Sequence, residues 1–123
     1  MAAIISVGCG GFIGAVLRYL LSLLTINSEF PYITLITNII GCIVIGIVSE
    51  ISVNALNFDP NLLLFLKTGL CGGFTTFSTF ALESHNLLLN DRYLTAISYL
   101  FISCLCCLIG VHLGNLLSKL FIK

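Results

Sequence analysis

Charge is what this chain has least of. Of its 123 residues only 8% are charged, with 5 Lys and Arg against 5 Asp and Glu. A soluble domain carries about a quarter charged residues to cover its surface, so a water-surrounded globule is excluded. Instead 59% of the residues are hydrophobic and the mean hydropathy is +1.16, the composition of an integral membrane protein. Tryptophan is absent altogether. No cysteine pair has zinc-finger or thioredoxin-type spacing, and no nucleophile–base pair or metal cluster points to an enzyme. There is no internal repeat and no low-complexity tract. The start has no positively charged region, and the first charged side chain, Arg18, lies deep inside the first apolar stretch. That stretch reads as a span rather than a cleaved signal, and Ser6-Val7-Gly8 before Cys9 matches a lipoprotein site poorly.

What is present is enough apolar sequence for four crossings of roughly 20 residues each. They are expected over 3–24, 33–53, 62–89 and 94–121, with connections at 25–32, 54–61 and 90–93. Asn residues, Pro31, Asp59-Pro60 and Asn90-Asp91 mark those connections. The expected fold is a single all-α domain over 1–123 with both termini on one side. Lys67, Lys119 and Lys123 fall toward the side of the termini, Arg18 and Arg92 toward the other. So small a bias is equally compatible with one orientation and with dual topology. The six cysteines, Cys9, Cys42, Cys71, Cys104, Cys106 and Cys107, all lie in apolar spans and read as small hydrophobes.

The third span is unusual. Over 62–89 a straight helix would be about 42 Å long, against roughly 30 Å of hydrocarbon. In its middle stands Gly72-Gly73-Phe74-Thr75-Thr76-Phe77-Ser78-Thr79-Phe80, a poor recipe for a continuous lipid-facing helix. Two half-helices, 62–73 and 76–89, are therefore expected to meet within the membrane. Backbone groups freed there cost several kcal/mol each unless protein, water or an ion satisfies them. The first half would direct carbonyls at the gap, suited to a small cation, and the second would offer N–H groups. Phe77 and Phe80 share one face of the second half, with Ser78 and Thr79 beside them, and ring edges can contact an anion without binding it strongly.

Other faces carry weaker signals. Thr34, Thr37, Asn38 and Gly41 align on the second span as a polar stripe, as do Tyr99, Ser103, Cys107, Gly110 and Gly114 on the fourth. Interhelical hydrogen bonding explains such stripes as well as an ion path does, though the second-span stripe favours a path. Arg18 shares a face with Gly11, Gly14 and Ala15; it either snorkels to the headgroups or enters a water-filled space. Gly10 with Gly14, Gly69 with Gly73, and Gly110 with Gly114 are GxxxG pairs that permit close helix approach. Four short spans cannot easily pack together and enclose a pore, so a homo-oligomer is the economical expectation.

Three segments together resemble one known family. Gly10-Gly11-Phe12-Ile13-Gly14-Ala15-Val16-Leu17-Arg18-Tyr19, then Thr34-Leu35-Ile36-Thr37-Asn38-Ile39-Ile40-Gly41, then residues 69–80 are similar to the signatures of bacterial fluoride channels, the Fluc/CrcB family. The likeness spans essentially the whole chain, and the third motif is highly specific. It implies an antiparallel, dual-topology homodimer in the bacterial inner membrane, with two pores that export fluoride passively and so relieve its toxicity. Its partners would be fluoride, lipid and a second copy, with no nucleic acid. It implies a structural, non-transported sodium ion held by backbone carbonyls of Gly72 and Thr75. Phe77 and Phe80 match the family's pore aromatics, Asn38 its pore asparagine and Arg18 its vestibule arginine. Tyr99, Ser103, Ser78 and Thr79 match its polar track, where Cys107 stands in place of an expected hydroxyl residue.

Two other classes compete. A small multidrug transporter also has four short spans, but needs a carboxylate in the first span to exchange protons for cationic drugs. That span holds Arg18 and no acid, Glu50 and Glu83 are placed near span ends, and no tryptophan is present to stack drugs. A purely structural membrane subunit leaves the broken span unexplained.

Overall fold

The computed structural model describes residues 1–55 and 58–120, and these are helical with no strand. Three helices are long and apolar enough to cross a membrane: α1 (Ala2–Ser22), α2 (Tyr32–Asn54) and α5 (Tyr93–Ser118). The fourth crossing is a bent pair. Its first arm, α3, runs over 60–74 as Pro60–Leu63, a π-helical stretch Leu64–Cys71, and Gly72–Phe74. Its second arm, α4, is Phe77–Leu89. The ends match expectation to within about two residues, except that the last helix stops at Ser118 rather than 121; Leu56, Asn57 and the 121–123 terminus, including Phe121 and Lys123, lie outside the described residues.

Local chemistry sets the boundaries. Pro60 sits in the first turn of α3, where no N–H is needed, and the Asp59 carboxylate accepts from Asn61 N at 2.7 Å. Between α4 and α5 the chain reverses at Asn90-Asp91, with Asp91 at φ 58°, a region that Asp tolerates better than most residues. Arg92 reaches Glu29 at 2.6 Å and ties this turn to the connection before α2. Both partners are more than half exposed, so the pair adds at most about 1 kcal/mol.

Packing follows the glycines. α1 lies along α3, and α2 lies along α5. A Cβ on Gly69 would come within 2.8 Å of Gly10 Cα, and one on Gly114 within 3.1 Å of Gly46 Cα. In lipid no hydrophobic force pulls helices together, so dispersion between closely spaced backbones does that work. The outer faces, with Ile4, Phe12, Leu94, Phe101 and Leu108, are apolar and exposed, as a lipid-facing surface requires. The protein is a multi-pass membrane protein.

One boundary differs in a telling way. The break falls at Thr75-Thr76 rather than at Gly72-Gly73. Gly72 is helical, with φ −64° and ψ −37°, whereas Thr75 and Thr76 are extended. Glycine's freedom suggested the bend, but Gly73 instead gives the clearance for α1, where Gly11 lies opposite. The threonines break the helix because their side chains and Asn38 supply alternative hydrogen bonds.

Candidate ion pathway at the broken helix

The extended segment is held by a closed set of bonds. Asn38, on α2, accepts from Thr76 N at 2.8 Å through Oδ1 and donates from Nδ2 to Thr76 O at 3.1 Å. Thr76 Oγ1 accepts from Thr79 N at 3.1 Å and donates to Thr79 Oγ1 at 2.9 Å, capping α4. Thr75 donates from both N and Oγ1 to Cys71 O, closing α3. Gly41 leaves room on α2 for the Thr75 methyl group, which a side chain there would strike.

These bonds divert donors from other acceptors. In a continuous helix Thr76 N would bond Gly72 O and Thr79 N would bond Thr75 O; here they go to Asn38 and to Thr76 Oγ1. The carbonyls of Gly72 and Thr75 thereby lose the donors a continuous helix would give them. Both residues line a cavity of about 540 Å³.

That cavity also collects Asn38, Thr76, Phe77, Phe80 and Ser103. Phe77 is 79% exposed and Phe80 only 7%, with ring centroids 5.7 Å apart. Phe80 in turn meets Tyr99 edge to face at 5.1 Å, and Tyr99 meets Phe30 at 5.3 Å. Ser103 is buried and its Oγ has no partner, so its hydroxyl is free to serve whatever occupies the space. A second cavity, of about 280 Å³, is lined by Arg18, Thr34, Thr37 and Thr79. Thr76 borders both, so the break is the wall between them. Ser78 is exposed at the start of α4, its Oγ 3.4 Å from Thr76 Oγ1.

Two side chains make the interhelical hydrogen bonds that the sequence reading set beside an ion path. Asn38 does not present a free amide to a path, since both ends of the amide are engaged by Thr76. Tyr99 is fully buried and its hydroxyl donates to Glu83 Oε2 at 2.8 Å. Glu83, placed by sequence near a span end, is instead the missed member of the site. Thr34 Oγ1 donates to its other oxygen at 2.8 Å, so α2 and α5 clasp one carboxylate on α4. Its position seven residues past the capping Thr76, on the face of Phe80, was the available signal.

A lipid-embedded bundle with one crossing interrupted, polar groups gathered at the interruption and cavities on either side is the architecture of a small membrane channel or transporter. The chain belongs to the CrcB family: the model described as CrcB-like protein, Camphor Resistance (CrcB), matches residues 5–115. It is 45% identical to the fluoride-specific ion channel FluC of Clostridium novyi over 94% of this chain and 93% of that protein. The protein of the same name from Ruminiclostridium cellulolyticum is 43% identical over 97% and 94%, and that of Methanococcus aeolicus 35% identical over the full length of both.

Proposed function

We propose that this protein is a fluoride-selective channel that lets fluoride leave the cell passively, down its electrochemical gradient, and so limits fluoride toxicity. It is not an enzyme. The observation that carries the reading is the broken crossing with Phe77, Phe80 and the unpartnered Ser103 hydroxyl at one cavity, in a chain whose relatives bear the name fluoride-specific ion channel. Fluoride is small and strongly hydrated, so a path must offer hydrogen-bond donors in place of its water. Ser103 offers one, the Phe rings offer positive edges, and Arg18 with Thr34, Thr37 and Thr79 forms an electropositive vestibule across the wall. Ser78, exposed beside Thr76, extends the polar track. The multidrug-transporter reading gains nothing from Glu83, which lies outside α1 and is committed to Thr34 and Tyr99.

The test is ion release from liposomes containing only this protein, with voltage clamped by a potassium ionophore. Fluoride should leave and chloride should not. Phe77→Ile and Phe80→Ile should each cut fluoride release strongly while the protein keeps its elution volume on size exclusion. Comparable chloride release, or a need for a proton gradient, defeats the channel reading; normal flux in both variants makes the rings core filler.

The pathway face of one chain is open. Gly72 and Phe77 are exposed and no other described part of the chain covers them. An antiparallel, dual-topology homodimer would close that face and bring two breaks together. The carbonyls of Gly72 and Thr75, whose usual helical donors Thr76 N and Thr79 N are engaged elsewhere, suit a structural sodium ion there, which would supply positive charge to offset converging carbonyl dipoles. Four carbonyls and no carboxylate suit a monovalent ion better than calcium or magnesium, which prefer six or more oxygens. Replacing sodium by a bulky organic cation should reduce fluoride flux and loosen the dimer. Unchanged flux with a well-ordered break would remove the ion from the reading.

A further inference from the structure

The row of aromatic rings at the cavity continues beyond it. Phe77 and Phe80 stand with ring centroids 5.7 Å apart, and Phe80 meets Tyr99 edge to face at 5.1 Å. Tyr99 in turn meets Phe30 at 5.3 Å, the two planes 79° apart. Phe30 belongs to no helix. It sits in the connection between α1 and α2, yet packs on the buried cluster of Leu35, Phe80 and Tyr99. The local chain holds it there. Phe30 N donates to Ser28 Oγ at 3.2 Å, and Phe30 O accepts from Tyr32 N at 2.8 Å. Pro31 follows and disfavours a helical conformation for the residue before it. Glu29, one position earlier, pairs with Arg92 at the start of α5, the helix that carries Tyr99.

We propose that Phe30 is a positioning residue for the ion pathway: it fixes the plane of the Tyr99 ring and, through Tyr99, that of Phe80. The consequence for flux rests on the fluoride reading; the geometry does not. The torsion that turns an aromatic ring about its bond to Cβ is broad, so neighbours rather than covalent geometry set the plane. The hydrogen bond from Tyr99 to Glu83 cannot set it, because the hydroxyl oxygen lies on the axis about which the ring turns. Phe30 and Phe80 both press on that ring, and Tyr99 is left with 0% exposure. Phe80 both touches Tyr99 and lines the cavity, whereas Phe30 lies outside it. The plane that Tyr99 imposes on Phe80 therefore decides whether a positive ring edge or a negative ring face is turned to an anion there.

Two readouts separate the geometry from its consequence. In the first, para-fluorophenylalanine in place of Phe80 gives one fluorine resonance, whose shift and width report the surroundings and motion of that ring in detergent. Phe30→Leu, which fills much of the space without a ring, should shift or broaden this line, and Phe30→Tyr should return it to the parent's. Phe12→Leu, the same change on an exposed, lipid-facing part of α1, should leave it unmoved. In the second, unlabelled protein is placed in liposomes. Phe30→Leu should slow fluoride release by about two- to tenfold, the effect of one lost edge-to-face contact. Phe30→Tyr should release at close to the parent's rate. Phe30→Met gives the same decision should the leucine variant not fold. An identical fluorine line in the parent and Phe30→Leu overturns the positioning. So does an equal loss of flux in Phe30→Leu and Phe30→Tyr, which would make the ring itself irrelevant. A shifted line with undiminished flux overturns the link to the pathway. A parent that releases no fluoride overturns the channel reading, and the fluorine line still decides whether Phe30 sets Phe80.

Discussion

Asn38→Leu will abolish fluoride release and destabilise the folded chain by about 2–6 kcal/mol, the sum for two backbone groups left buried without partners at about 1–3 kcal/mol each. Leucine matches asparagine roughly in size, so the cavity is not the issue. What disappears is the pair of bonds between the amide and Thr76 N and O. Neither group has another partner of this kind within reach in an extended segment, and no water of the bulk phase stands in at mid-membrane depth. The chain's cheapest escape is to continue α3 through Thr75 into α4, giving Thr76 N back to Gly72 O. That straightens the crossing, moves Phe77 and Phe80 around the helix axis and destroys the cavity they line. Thermal unfolding in detergent should show the loss of stability, and the liposome assay the loss of flux. A variant that melts and conducts like the parent would mean that the break is held by something other than Asn38.

The same residue illustrates how much the sequence revealed. Periodicity and length placed all four crossings, because lipid demands uninterrupted apolar helices and leaves little freedom in where they begin and end. The small-residue pairs announced helix contacts, and Gly10 with Gly69 and Gly46 with Gly114 are such contacts. The interruption was legible as well, though not its mechanism. Two adjacent glycines look like the weak point of a helix by propensity, yet tertiary packing spends them on clearance. The bend was assigned by side-chain bonds from Asn38, a residue 38 positions earlier in the chain, and nothing local to the motif reveals such a partner. Glu83 was missed for a related reason: a carboxylate read as near a span end is accommodated within the bundle because Thr34 and Tyr99, from two other helices, each donate to it.

Gly73→Ala will be far more damaging than Gly72→Ala, although the two glycines are neighbours. A methyl group on Gly73 would lie 2.5 Å from Gly11 O and 3.0 Å from Gly11 Cα, and both are backbone atoms of α1 that cannot rotate aside. The contact can be relieved only by parting α1 from α3, the crossing pair whose close approach the glycines permit. Overpacking of this kind costs about 1–3 kcal/mol, and sometimes more. On Gly72 the same methyl group would meet no heavy atom within 4 Å. The residue is already helical, so alanine there gains up to about 1 kcal/mol of intrinsic helix preference within the single chain. Any harm from Gly72→Ala must then come from a second molecule against that face, which is where the proposed dimer and its sodium ion would lie. Melting of the dissociated chain in detergent should fall for Gly73→Ala and hold for Gly72→Ala, while the fraction of dimer in lipid, counted by single-molecule photobleaching, should drop for Gly72→Ala. Equal melting losses for the two variants would contradict the packing argument, and an undiminished dimer with Gly72→Ala would move the interface away from the break.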